Sequence, residues 1–341
     1  MPSVTSREIH LVARPDGPAR ADHFAVTKVE VPEPGDGEVL VRNTWLSVDP
    51  YMRGRMDDVP SYIDPFPLHA ALEGGAVGEV VAGRAPGVPV GATVAHFLGW
   101  REYAIVDAAA ATVVDTSLAP PQAYLGVLGT TGLSAFIAVT EKAPVSAGDV
   151  VYVSAAAGSV GSIAGQLARR FGAATVIGST GGPAKAATLV AELGFDHAID
   201  RRAGPLREAL ARVAPDGIDV YVDNVGGAHL EAAVDAMRPD GRIALVGAVG
   251  GYDSPAPGPR NLLTAAAREV TVRGLAIGRH LHRFPAWTAL AAGMLADGTL
   301  RTRETVHDGI EAAPAAFLGV LSGANTGKML VRLAQGQDVT L

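Results

Sequence analysis

The chain has 341 residues, no cysteine, 48% hydrophobic and 18% charged residues, and a formal net charge of −7. That length exceeds one average domain and divides most simply into two, each with ample apolar material for a core. An acidic balance without a basic cluster argues against nucleic acid or an anionic membrane as the main partner. The missing cysteine removes disulfides, thiolate nucleophiles and cysteine-ligated zinc together.

The first residues lack the apolar core of a signal peptide, so a soluble, cytoplasmic protein is expected. Residues 24–31, 38–46, 75–81, 93–97 and 103–106 are short β-branched runs punctuated by Pro and Gly, and predict a compact, barrel-like β domain. Pro120-Pro121 marks its boundary. The most apolar stretch, 124–139, is interrupted by Gly126, Gly129, Gly132 and Ser134. It is shorter than the roughly 20 apolar residues a membrane span needs, and is predicted as a buried helix.

The centre of the chain carries its clearest pattern, Asp149-Val-Val-Tyr-Val-Ser-Ala-Ala-Ala-Gly-Ser-Val-Gly161 followed by a helical periodicity over 162–171. An apolar run that breaks into small residues and resumes as a helix predicts strand, tight turn, helix. The spacing Ala156-x-Gly158-x-x-Gly161 is the dinucleotide fingerprint with Ala in place of its first Gly. Gly158 lets the backbone approach a pyrophosphate, and Gly161 lets the helix pack closely on its strand. Ser159 and Val160 complete a helix N-terminus whose N–H groups and dipole suit an anion. A purely structural turn has the same spacing, and the segments that follow decide between the two.

Strands at 174–179, 197–200, 218–223 and 241–246 alternate with helices at 183–193, 205–213 and 228–237. This alternation predicts a doubly wound parallel sheet, a Rossmann-type domain, of parallel strands joined by right-handed crossovers. An NAD site usually places an acid about 20 residues past the glycines. Here that place reads Ile177-Gly-Ser179-Thr-Gly-Gly182, which leaves room for a 2′-phosphate; Lys185, and Arg201 after the third strand, are the nearest cations, and NADP(H) is the expected cofactor. A solvated helix lysine and a loop arginine are the alternative readings of the two. Asn224 follows the fourth strand, at the carboxyl end of the sheet where open α/β folds bind ligands. Beyond a Gly/Pro-rich loop at 247–259 come a helix from Asn261, a strand at 270–274 and a helix at 287–295, and then strand, helix, strand at 303–306, 312–321 and 328–333.

A β-rich N-terminal domain, an inserted Rossmann domain and a returning C-terminal strand resemble the medium-chain dehydrogenase/reductase superfamily. The strings Ser47-Val-Asp-Pro-Tyr-Met-Arg53, Leu128-Gly-Thr-Thr-Gly-Leu-Ser-Ala135, Asp223-Asn-Val-Gly-Gly227 and Asn325-Thr-Gly-Lys328 are similar to its zinc-independent prostaglandin reductase / 2-alkenal reductase family. The resemblance implies a β-rich GroES-like catalytic domain over 1–122 and 300–341 around a dinucleotide domain over 123–299. It implies no metal, since Leu72 stands where zinc-dependent relatives have His, and the pair His280-x-His282 is set aside as a metal site. It further implies NADPH-dependent reduction of the carbon–carbon double bond of enals and enones, with Tyr51 and Tyr252 as hydrogen-bond donors, Asn224 at the cofactor and Asn325 beside its nicotinamide half. It implies as well a homodimer joined through the dinucleotide domain, an expectation that the apolar edge-like strand 270–274 supports. Thr130-Thr131 replaces the family's Met-Pro, and Arg201 replaces its Tyr. Quinone reduction on the same cofactor site and a non-catalytic NADPH-binding role are the alternatives. A nucleophile elbow at Ala157-Gly-Ser-Val-Gly161 fails because its first Gly is Ala157.

Overall fold

The computed structural model describes residues 4–253 and 258–333, so residues 254–257 of the expected loop at 247–259, and both chain ends of the expected catalytic domain, lie outside the described residues. In chain order the first elements are β1 (Val4–Leu11), β2 (Phe24–Val31), β3 (Glu38–Ser47), α1 (Met52–Arg55), β4 (Ala76–Gly83), β5 (Thr93–His96), β6 (Tyr103–Asp107) and β7 (Thr112–Val113). There follow α2 (Thr130–Ile137), β8 (Val150–Val153), α3 (Ser159–Arg170), β9 (Thr175–Thr180), α4 (Pro183–Glu192), β10 (His197–Asp200) and α5 (Leu206–Val213). The sequence continues with β11 (Ile218–Asp223), α6 (Gly227–Ala236), β12 (Met237–Leu245), α7 (Leu262–Ala267), β13 (Thr271–Gly274) and α8 (Phe284–Ala296), and ends on β14 (Glu304–Asp308), α9 (Ala313–Ser322) and β15 (Lys328–Arg332). The chain divides into two compact units, Met1–Gly126 with Glu304–Leu341, and Val127–Arg303.

In the first unit β1 and β2 pair antiparallel along their whole length, from Val4 opposite Val31 to Leu11 opposite Phe24. A second, mixed sheet runs β14-β15-β3-β4-β5-β7, with β6 also on β3. β1 escapes a reading by apolar alternation because Ser6 and Glu8 occupy inward, buried positions. Both are satisfied there: Ser6 Oγ accepts the Tyr103 N–H (3.1 Å) and Glu8 meets the His10 ring (2.9 Å). The core packs Phe24, Trp100 and Phe317 ring to ring, with centroids 6.0–6.4 Å apart, among Ile9, Leu11, Met52 and Met56. Emptying one such aromatic site costs about 3–5 kcal/mol.

In the second unit all strand pairs are parallel and the order is β10-β9-β8-β11-β12-β13. The chain starts at β8 in the middle, builds outward through β9 and β10, then crosses back to β11 and proceeds to the other edge. The order therefore reverses between β8 and β11, which makes a crevice at their carboxyl ends. The apolar stretch at 124–139 is not one helix. A 3-10 turn over Pro121–Leu125 is separated by 126–129 from α2, and a wide π-type turn over Ala138–Lys142 continues α2. Gly132 lets the segment before α2 fold back on the helix: any side chain there would run into the carbonyl of Val127 and the ring of Trp287, whose indole N–H donates to that same carbonyl (2.8 Å).

His96, at the end of β5, is buried; its Nδ1 accepts the Leu98 N–H (3.1 Å) and its Nε2 donates to Asn43 Oδ1 (2.8 Å). Burial, and then Arg101, lowers its pKa from 6.5 to about 4. Between those two values the unfolded chain binds a proton that the folded chain refuses, so this site's stability is complete above pH 6.5 and drains away as pH falls toward 4. The loss between about pH 7 and about pH 4 should be about 3 kcal/mol. Urea unfolding of the wild type and of His96→Gln at both pH values checks it: the variant should lose distinctly less, and equal losses would remove His96 as the cause.

Candidate functional site

The turn between β8 and α3 is built by close approach. A Cβ on Gly161 would lie 2.6 Å from the Ala155 carbonyl oxygen and 2.8 Å from Ala156 Cα, so α3 can press onto its strand only without a side chain there. Ala155 itself sits at φ +46°. The first intrahelical bond is donated by Ser162 to the Gly158 carbonyl (3.0 Å), which leaves the N–H groups of Ser159, Val160 and Gly161 at the open, positive end of the helix. Ala156 replaces the first Gly of the fingerprint because Gly178 on β9 faces it: a side chain on Gly178 would come within 2.7 Å of the Ala156 methyl. Two expectations change here. Ala156 is fully buried and its N–H donates to the Ser179 carbonyl (2.9 Å), so it shapes the turn and offers no donor to a ligand. Ser179 is also fully buried, with its hydroxyl 2.8 Å from that of Tyr152, and its side chain locks β9 to β8.

At the end of β9 the cations gather. Lys185 is half-buried, and burial, then Arg202, then Arg201 lower its pKa, a repulsion that an ordinary solvated lysine would not feel. Arg201 and Arg202 flank Gly181, where an added methyl would stand 3.4 Å from Arg202 Nε and 3.6 Å from Arg201 Nε. Asp200 holds the turn by accepting the N–H groups of Gly182 (2.8 Å) and Arg202 (3.0 Å), bonds that lower its own pKa. Three mutually repelling cations beside a helix N-terminus suit a phosphate dianion. Arg202 was missed by the sequence reading, although its place next to Arg201 was the available signal.

Asn224, at the end of β11, is buried; its backbone N–H donates to Ser154 Oγ (2.9 Å) and its side-chain amide to the Ser154 carbonyl (2.7 Å). Tyr252 follows a 3-10 turn over Val249–Gly251 and is half-buried. Burial raises its pKa against a backbone hydrogen bond at Ala248, so its hydroxyl is a proton donor at neutral pH.

Within the first unit, Tyr51 opens α1, and its hydroxyl is buried with no hydrogen-bond partner among the described residues. Burial and then the Asp49 carboxylate push its pKa well above that of a free phenol. A buried donor without a partner costs about 1–3 kcal/mol, and points to a ligand oxygen. The loop that carries it is anchored by the buried Lys328, whose Nζ donates to Asp49 Oδ1 (2.6 Å) and to the Val48 carbonyl (3.1 Å). Asn325, three residues before Lys328, donates to the Gly327 carbonyl (2.7 Å) and shapes the turn into β15. Arg55, which the sequence reading did not single out, has a buried Nη1 without a partner among the described residues and lies 4.0 Å over the Phe66 ring.

A switch-point sheet, a small-residue turn at a helix N-terminus and a cation cluster define a dinucleotide-binding unit of the oxidoreductase type. Residues 7–114 match the family described as the N-terminal domain of oxidoreductase, and residues 159–293 the family described as zinc-binding dehydrogenase. NADPH-dependent curcumin reductase of Escherichia coli is 34% identical over 96% of each chain. The NADP(+)-dependent 2-alkenal reductase of Nicotiana tabacum is 34% identical over 90% of each. CurA of Vibrio vulnificus in complex with NADPH superposes with a TM-score of 0.91 at 36% identity, covering 96% of this chain and 99% of its own. The chain belongs to the zinc-independent medium-chain dehydrogenase/reductase superfamily. It has no cysteine, and Leu72 is fully buried; among the described residues no three His, Cys, Asp or Glu side chains converge as metal ligands.

The cation cluster makes a quantitative expectation. A charge-assisted bond to phosphate is worth about 1.5–3 kcal/mol, so Arg202→Ala or Lys185→Ala should weaken NADPH about tenfold or more and leave NADH nearly unchanged. Dissociation constants of both cofactors for the two variants and for Arg201→Ala decide it. Equal weakening of NADPH and NADH would remove these residues from the phosphate.

Proposed function

We propose that this protein is a cytoplasmic, homodimeric, zinc-independent reductase of the carbon–carbon double bond of α,β-unsaturated aldehydes and ketones. The cofactor is NADP(H); the α3 N-terminus at Gly158, Ser159, Val160 and Gly161 would receive its pyrophosphate. Lys185, Arg201 and Arg202 would receive its 2′-phosphate, with Asn224 and Asn325 toward the nicotinamide half. When bound, it supplies a hydride to the β-carbon of the substrate.

The observation that carries the reading is the Tyr51 hydroxyl, buried, held protonated and without a protein partner among the described residues. Hydride addition to an enal or enone moves negative charge onto the carbonyl oxygen, and neutral hydrogen-bond donors suffice to stabilise it. Tyr51 and Tyr252 are such donors. The reductases of curcumin and of 2-alkenals among the relatives support this substrate class.

Tyr51→Phe and Tyr252→Phe should each lower kcat by about tenfold or more with a smaller change in KM, because a donor aimed at developing charge acts mainly in the transition state. The assay is NADPH oxidation with a panel of enals, enones and quinones, using cofactor deuterated at the transferred position. Label on the β-carbon of a saturated product is the expected result. Label on the carbonyl carbon of an allylic alcohol, or turnover of quinones alone, would overturn the assignment.

The dimer reading rests on β13. Its four residues are all exposed, and it pairs only with β12 among the described residues, so it leaves a row of backbone groups at the sheet edge. Val272 stands 45% exposed on it. Sedimentation equilibrium at micromolar concentration should give twice the chain mass of 34.9 kDa, and a monomer there would refute the pairing.

A further inference from the structure

At the carboxyl end of β11 lies a buried polar chain to which the proposed chemistry assigns no part. Tyr221 is fully buried and its ring stacks on Tyr152, centroids 4.8 Å apart and planes at 8°. Packing alone would be served as well by phenylalanine. The hydroxyl, however, donates to Asp223 Oδ1 (2.7 Å) and lies 3.0 Å from Ser154 Oγ. The same carboxylate oxygen accepts the N–H groups of Val225 (2.9 Å) and Gly226 (2.8 Å), while Ser154 grips Asn224 at backbone and side chain. Burial, and then Asp223, pushes the Tyr221 pKa well above its ordinary value, so the phenol keeps its one proton and the direction of donation is fixed.

We propose that Tyr221 and Asp223 are positioning residues for the cofactor, which through Ser154 and the turn after β11 hold Asn224 in the single orientation that meets it. Ser154, at the end of β8, and Asp223, at the end of β11, stand on the two strands that border the switch point, so the chain also fixes the spacing of the crevice walls. Three polar side chains thereby fix the backbone at Asn224, and the backbone carbonyl of Ser154 sets the direction of its amide. The inference rests on the reading of Asn224 as a cofactor contact, and the test separates the two.

The measurement is the NADPH dissociation constant, by cofactor fluorescence, together with the thermal midpoint. Tyr221→Phe keeps the stacked ring and removes one oxygen; it should weaken NADPH about three- to tenfold. Ser154→Ala breaks the same link from β8 and should do likewise if Tyr221→Phe folds poorly. Tyr152→Phe removes an equally buried phenol that bonds Ser179 instead, and should lower the midpoint while leaving the dissociation constant at the wild-type value. Because Tyr221 acts through Asn224, the double variant Tyr221→Phe/Asn224→Ala should bind NADPH no more weakly than Asn224→Ala alone. If Asn224→Ala weakens binding and the effect of Tyr221→Phe simply adds to it, or is absent, the positioning role is overturned and the Asn224 contact stands. If Asn224→Ala leaves binding unchanged, the contact fails and the positioning role with it.

Discussion

The approach of α3 to the end of β8 is the constraint on which the second unit depends. A Cβ on Gly161 would lie 2.6 Å from the Ala155 carbonyl oxygen, so only glycine lets the helix approach the strand this closely, and its N-terminus comes to the carboxyl edge of the sheet. The same turn sends the Ala156 N–H to the Ser179 carbonyl and its methyl into the space that Gly178 leaves. β9 is thereby placed, and with it the turn that starts α4 and carries Lys185. An open helix N-terminus and the place of Lys185 follow from one small-residue contact.

Electrostatics at the site run against the charge of the whole chain. The formal charge is −7, yet Lys185, Arg201 and Arg202 are held close enough for burial and mutual repulsion to lower the lysine's pKa. The repulsion within such a cluster is relieved when a further anion enters it. Local order of this kind is required because long basic side chains would otherwise spread into water. Asp200 supplies it by binding the backbone of Gly182 and Arg202, leaving the guanidinium groups aimed beside Gly181.

The first unit uses a comparable device across a much longer stretch of chain. Lys328 returns on β15 to donate to Asp49 and to the Val48 carbonyl, on the loop that leads into α1 and Tyr51. A buried charge pair with its hydrogen bonds made is weak evidence for stability, but breaking one side strands the other charge, so it specifies one arrangement. The Tyr51 hydroxyl, without a partner among the described residues, is therefore carried on a loop pinned at both its backbone and its carboxylate.

The sequence by itself determined the alternation of strands and helices over 149–246, the turn at Ala156 to Gly161, the absence of an acid after β9 and the family strings at both ends. Each is a local pattern, set by side-chain period and by the few residues a tight turn allows. It could not show β1, whose inward Ser6 finds a partner on β6 and whose Glu8 meets His10, nor the break at 126–129, where Val127 folds back against Gly132. Lys185 and Arg201 were legible as cations, and Arg202 lay beside Arg201 in the chain, while the approach of Lys185 to the two was not legible, because it depends on how α4 and the end of β10 meet. Ser179 and Ala156 read as cofactor contacts and turned inward, since the period of a strand fixes which side a residue faces but not whether a neighbour already occupies that side. Only tertiary structure decided which polar groups were left without partners, as hydrogen bonds between distant strands are settled when the sheet closes and leave no mark in spacing.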